Sequence, residues 1–271
     1  MKPLAKEEQL RGYYATLLRA RGPQHWWPAR TSFEVIVGAY LTQNTAWTNV
    51  ERALRRLRAA GLLNLEGIRR TPLPQLESMI RSAGYFRQKA RRLKTFVAFL
   101  DEHYGGSLNR MFAQPTDRLR EELLALNGVG PETADSILLY AGQHPVFVVD
   151  TYTRRMLDRH GILPANAPYE EIRQLFERAL VRIEWGGQDL SRAESGSYKA
   201  RGLAREARNS APGIRNLPGA AHRPSPMSLT KRSPLAQAYN DMHGLIVGVG
   251  KNYCVKGKPR CERCPLQRFL P

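Results

Sequence analysis

Apolar residues in the first two thirds of the chain recur at the three-to-four spacing of amphipathic helices. Phe33, Ile36, Val37, Tyr40 and Leu41 share one face. Val50, Ala53, Leu54 and Leu57 share another, with Arg52, Arg55, Arg56 and Arg58 at the complementary positions. Stops fall at Pro72 and Pro74, at Gly84, at Gly105-Gly106 and across Pro164 to Pro168. The pattern predicts an all-α protein with many helices of ordinary length. Val146-Phe147-Val148-Val149 is strand-like, but so short an apolar run does not separate a strand from a packed linker, and it reads as an extended connector. Across 186–233 the periodicity dissolves into Gly, Ser, Pro and Arg, which predicts a flexible basic insertion that buries too little to offset its ordering entropy. Order resumes over Leu235 to Val249.

Composition narrows the class. The chain has 271 residues, enough for one or two domains with a sizeable core. Its 42 Lys and Arg against 24 Asp and Glu give a formal charge of +18, a footprint suited to nucleic acid, although a generally basic protein with affinity for ribosomes or membrane surfaces has the same balance. No apolar run approaches the length of a membrane span, and Lys6, Glu7, Glu8 and Arg11 interrupt the first segment, so neither a transmembrane helix nor a secretory signal is expected. The three cysteines, Cys254, Cys261 and Cys264, are odd in number and crowded together. That argues against a disulfide framework and for a reducing setting, here the cytoplasm, associated with the nucleoid.

The segment from Leu123 to Asp135 reads as helix, a tight Asn127-Gly128-Val129-Gly130 turn, and a second helix opened by Pro131. Two glycines let backbone approach another surface, and the positive end of the second helix suits a phosphate; an ordinary helical turn has the same local pattern. Downstream, Asp150 stands behind the apolar connector and ahead of Thr151-Tyr152-Thr153-Arg154-Arg155. Asp there is a helix N-cap, and a capping carboxylate held rigidly can also serve catalysis.

Leu126 to Arg155, with Gly128-Val129-Gly130 and Val148-Val149-Asp150-Thr151, resembles the helix-hairpin-helix and Gly/Pro/Asp signature of the endonuclease III superfamily of DNA glycosylases. Leu41-Thr42-Gln43-Asn44-Thr45 is similar to the family segment whose Gln enters the DNA stack, and Gly84-Tyr85-Phe86-Arg87-Gln88-Lys89-Ala90 to a family helix start. The resemblance implies two helical domains flanking a DNA-binding cleft: 28–143 carrying the hairpin (about 119–142), and 1–27 with 144–271 carrying Asp150 and a C-terminal cysteine loop. It implies DNA contacts from Gln43, Asn127, Gly128, Val129, Gly130 and Lys89, and base excision by a monomer on double-stranded DNA containing a damaged base.

Bifunctional members place a lysine in the helix after the hairpin; the matching residue here is Glu132, which cannot form an imine. The resemblance therefore implies a monofunctional enzyme without AP-lyase activity, in which Asp150 stabilises oxocarbenium charge and orients or deprotonates water. Trp26-Trp27-Pro28 and Trp47 fall where the family has its base pocket, and with Glu132 they resemble the 3-methyladenine branch, whose cationic bases would be attracted by indole faces. Tryptophans as core filler are the alternative. A mismatch-specific or endonuclease III-like glycosylase acting on mispaired bases or oxidised pyrimidines, and a DNA-binding module without chemistry, also fit the same scaffold.

Cys254-x6-Cys261-x2-Cys264 matches three positions of the superfamily's [4Fe–4S] loop, with Lys256, Lys258 and Arg260 set around it for phosphate contact. The fourth position is Leu270. A cluster normally takes four thiolates, so a [4Fe–4S] group, a lone zinc and no metal all stay open, with His243 as a conceivable fourth ligand.

Overall fold

The structure is a computed structural model that describes residues 5–181, 184–185, 188–189 and 222–271. Most of the expected 186–233 insertion, residues 190–221, lies outside the described residues. The chain divides into two compact units: Ala29–His144, and Met1–Pro28 with Pro145–Pro271. Both are helical; the strand pairing among the described residues is a two-residue antiparallel bridge, Glu184–Trp185 with Gln188–Asp189. No described helix is long and apolar enough to cross a membrane.

In the Ala29–His144 unit, α2 (Ser32–Thr42) starts at Thr31, whose hydroxyl accepts from the Glu34 N–H. The sequence predicts one buried face, yet every residue from Phe33 to Leu41 is buried. The helix is the core of its unit, which explains why its apolar run shows so little polar interruption. Glu34, buried in that run, is paired with Arg58. That arginine belongs to α3 (Trp47–Ala59), which buries Val50, Ala53, Leu54 and Leu57 as its periodicity predicts. Short helices α4 (Leu65–Arg70) and α5 (Leu73–Met79) precede the long α6 (Phe86–Tyr104). Then come α7 (Leu108–Phe112), α8 (Thr116–Leu124) and α9 (Pro131–Ser136), the last continuing over Ile137–Ala141 with wider π-type bonding.

The other unit is built on α1 (Lys6–Arg21), α10 (Thr151–Arg159), α11 (Tyr169–Leu180) and α12 (Pro234–Asn252). All residues of α12 from Ala238 to Gly250 are buried, so this helix is surrounded by the rest of its unit. Two glycines set how close its neighbours come. A Cβ on Gly250 would lie 2.2 Å from the Tyr152 ring, and one on Gly244 would meet Gln24 and Trp26 at 3.1 Å. The Val146–Val149 run is buried and extended, and among the described residues it pairs with no strand. Side chains of α11 take the place of a neighbouring strand: the Phe147 N–H donates to Glu177 and the Val149 N–H to the Tyr169 hydroxyl. Residues 222–233, expected within the flexible insertion, are placed instead as a turn. Met227 and Ser228 are buried, and Arg232 donates to the Met227 carbonyl at 2.7 Å.

Candidate functional site

Asp150 is the N-cap of α10. Its Oδ1 accepts from the Thr153 N–H at 2.8 Å and from the Thr153 hydroxyl at 2.9 Å. Its Oδ2 faces the Nε2 of His243 on α12 at 3.5 Å, and 12% of the aspartate side chain is exposed. Burial alone would push the carboxyl up, but the facing imidazole and the two Thr153 donors outweigh it and hold the group below its ordinary value. This is an ionised carboxylate with one oxygen fixed by the helix start and the other directed toward an imidazole.

The aromatic neighbours divide by burial. Trp26 is half-buried, with its ring centroid 5.9 Å from that of His243, and the Lys251 ammonium stands 5.9 Å from the Trp26 ring centre. Its indole N–H is buried with no hydrogen-bond partner among the described residues. Trp27, expected in the base pocket, is 5% exposed and packs edge-on to Trp26. It is core, a correction that follows from its burial. Pro28 is partly exposed. The structure thus gathers Asp150, His243 and Trp26 in one unit, of which sequence reasoning left His243 among the metal-ligand candidates.

In the other unit, the turn between α8 and α9 is shaped by Gly128 at φ +78°, where a Cβ would lie 1.9 Å from Arg92 Nε. Val129 is buried, Asn127 and Gly130 are exposed, and nothing would meet a Cβ on Gly130. Gln43 ties its own loop to this turn: its amide donates to the Gly128 carbonyl and the Thr133 hydroxyl, each at 2.9 Å, and its carbonyl accepts from Arg92 at 2.7 Å. Arg92 is a residue the sequence did not single out. Trp47, half-buried at the start of α3, donates to Glu51, and Glu132 is exposed in the first turn of α9. Tyr85, 69% exposed at the start of α6, is a further aromatic that sequence reasoning passed over.

Lys89 is not placed for DNA. It is 1% exposed, and its ammonium donates to the Leu41 carbonyl, the Thr45 hydroxyl and the Ala83 carbonyl at 2.7–2.8 Å. It staples the loop after α2 to the turn before α6. Burial, then the charge of Arg92, pushes it down to about 8. Lys256, Lys258 and Arg260, by contrast, are exposed on the cysteine loop.

That loop is held by α10. Arg155 donates to the Cys254 and Gly250 carbonyls, and Arg159 to the Val255 carbonyl at 2.8 Å and to the Cys254 sulfur at 3.3 Å. Cys254, Cys261 and Cys264 line one cavity with Leu266 and Leu270. The lining offers three thiols, with Leu270 on the wall as well. Among the described residues, no group of three His, Cys, Asp or Glu is placed to hold a single metal ion. His243 lies against Asp150 and not with the cysteines, which removes it as the fourth ligand.

Residues 37–181 match the family described as HhH-GPD superfamily base excision DNA repair protein. Along 97% of its length the chain is 37% identical to 96% of a Methanocaldococcus jannaschii protein provisionally named a DNA repair glycosylase. Over 60% of the chain it is 32% identical to Thermotoga maritima endonuclease III, covering 72% of that protein. Among solved structures, the H. pylori 3-methyladenine DNA glycosylase MagIII bound to 1,N6-ethenoadenine aligns with TM-score 0.64 and 28% identity, covering 92% of this chain and 98% of that one.

Proposed function

Starting from the fact that the chain belongs to the HhH-GPD superfamily of base excision DNA repair proteins, we propose that it is a monofunctional DNA glycosylase hydrolysing the N-glycosidic bond of a flipped alkylated purine. The observation that carries the reading is Asp150: an ionised carboxylate at a helix start, held against burial by named donors. As the bond between C1′ and the base nitrogen breaks, its electron pair leaves with the base and positive charge builds on the sugar. A fixed carboxylate opposite that charge stabilises the transition state more than the ground state. Water then adds to C1′ and gives up a proton, to Asp150 or to solvent, leaving an abasic site.

The alkylated-base assignment draws support from Trp26 and Glu132. The Trp26 ring already carries a cation, Lys251, and a positively charged purine has the same attraction for an indole face. Such a base departs neutral, so no strong general acid is required. Glu132, where bifunctional relatives carry lysine, supplies no amine for an imine. Likeness to the H. pylori 3-methyladenine DNA glycosylase MagIII supports the same reading. Pro28, in the same unit as Trp26 and Asp150, belongs to the proposed pocket. Phosphate contacts fall to the Gly128-Val129-Gly130 backbone with Asn127, and to Lys256, Lys258 and Arg260, while Gln43, tied to the Gly128 carbonyl, holds the shape of that turn. The three cysteines would hold a [4Fe–4S] group that organises the loop, supplying structure rather than chemistry to the reaction.

The test is product analysis on defined duplexes. Methylated DNA should release 3-methyladenine faster than thymine glycol or a mispaired thymine is released from its own substrate, the strand should stay unnicked, and borohydride should trap no adduct. Faster release of a neutral mispaired base would replace the substrate assignment, and a trapped adduct would replace the monofunctional one.

A further inference from the structure

We infer that His243 is the positioning residue for Asp150: its Nε2–H holds Oδ2 while Thr153 holds Oδ1, so that both carboxylate oxygens are fixed from different helices. The inference rests on the reading of Asp150 as the group at the glycosidic bond. Oδ1 is committed twice, to the N–H and the hydroxyl of Thr153. With that end alone anchored, the carboxylate is still free to tilt about its terminal torsion, which is broad for Asp. The imidazole sits across from the remaining oxygen at 3.5 Å. That is longer than a formed N–H···O bond, and catalytic pairs in substrate-free proteins are often long and tighten once the complex forms.

The imidazole is itself immobilised. His243 is 4% exposed, inside a helix buried on all sides, with the Trp26 ring at 5.9 Å and the Phe147 ring at 6.4 Å. Gly244, the next residue, is what allows the Trp26 segment to pack on this stretch of α12. A solvent-facing histidine would need none of this. Among the described residues, other ionisable groups in this neighbourhood are Tyr152 and Arg155 on α10, Tyr169 on α11, Lys251 on α12 and His222, whose ring centroid lies 5.2 Å from that of Trp26.

Asp241, on the same helix as His243, shows what burial does where no imidazole stands opposite. Burial pushes its carboxyl up to about 6 even though Gln237 and Arg232 act in the opposite sense. Asp150 goes the other way, and the imidazole is the largest of the influences that lower it. Removing His243 should leave burial as the dominant influence and send Asp150 upward.

The experiment compares His243→Phe, which keeps a ring and removes the donor, with His243→Gln, which offers an amide N–H. Base release from methylated duplex is followed against pH with the full chain. His243→Phe should lower release at neutral pH by about tenfold to a hundredfold, the cost of losing a bond to a charged group. Its acid limb should move to higher pH by about one unit or more, so that the loss shrinks as pH rises. Affinity for undamaged duplex should stay the same, and His243→Gln should return the limb toward that of the unaltered protein. If Phe does not fit the site, His243→Leu removes the same donor and carries the same expectation. The shift is also read without DNA, by carbon-13 NMR titration of the Asp150 carboxyl.

A wild-type limb and rate in the Phe or Leu variant, or a Gln variant displaced as far as Phe, would overturn the inference while leaving Asp150 in place. Full excision by Asp150→Asn would instead overturn the reading beneath it. The NMR titration then decides whether the two side chains interact at all.

Discussion

The entrances to α9 and α10 make opposite use of the same physical feature. Every helix start presents backbone N–H groups and the positive end of a dipole. At α10 the chain answers from within: Asp150 caps the helix and spends one oxygen on Thr153. At α9 the cap position is Gly130, with no side-chain cap, extended backbone at φ −93°, and open space where a Cβ would stand. The fold does not require glycine at 130, whereas it does at 128. An internally capped start holds a charge in place. A start capped by an exposed glycine leaves room for an anion from outside, which is what a DNA phosphate would be.

The largest effect that would sharpen this contrast is at the capped end. Asp150→Asn should keep duplex affinity and reduce base release by roughly a thousandfold or more, because only transition-state charge stabilisation is lost. Single-turnover release and equilibrium binding, measured on the same preparation, check both halves. Because the folded carboxyl lies below its ordinary value, its contribution to stability is complete at neutral pH and lost as pH falls through the acid range.

Next in size is Gly128→Ala. A side chain at φ +78° and a Cβ 1.9 Å from Arg92 would displace the arginine from Gln43, for a loss of about 2–3 kcal/mol in denaturant unfolding. Lys89→Met should cost about 2 kcal/mol by leaving the Leu41 and Ala83 carbonyls and the Thr45 hydroxyl without their donor. The salt dependence of DNA binding should not change, in contrast to a phosphate-contacting lysine. The smallest effect, and the one that would break the comparison, belongs to Gly130→Ala. Stability should stay within about 0.5 kcal/mol, while affinity for duplex falls by about tenfold if a phosphate approaches the backbone there. Unchanged affinity would mean that the α9 entrance meets no phosphate.

Much of this contrast was legible in the sequence. The Gly-Val-Gly turn with Pro131, and an Asp directly before Thr151 at the end of an apolar run, are local signals carried by backbone preference. What was not legible lies in side chains that meet across long stretches of chain. Gln43 reaches Gly128 and Thr133, and His243 reaches Asp150, through packing that periodicity does not encode. Lys89 was readable and was missed: it shares the helical face of Leu93, Phe96 and Leu100, all buried, so its position marks it as interior. The family resemblance pulled it toward DNA instead. Trp26 and Trp27 are adjacent and alike in type, and only the fold assigns one to the core and leaves the other partly open.

The glycines of α12 have a bearing on how such a protein can change over generations. At Gly250 a ring on the helix that starts at Asp150 occupies the space where a side chain would begin, and at Gly244 a Cβ would stand 3.1 Å from Gln24 and Trp26, so that those neighbours would have to give slightly. Drift at Gly250 is closed off unless Tyr152 drifts in concert, and drift at Gly244 needs Gln24 and Trp26 to yield. A lineage under new selection would therefore find α12 an unyielding surface.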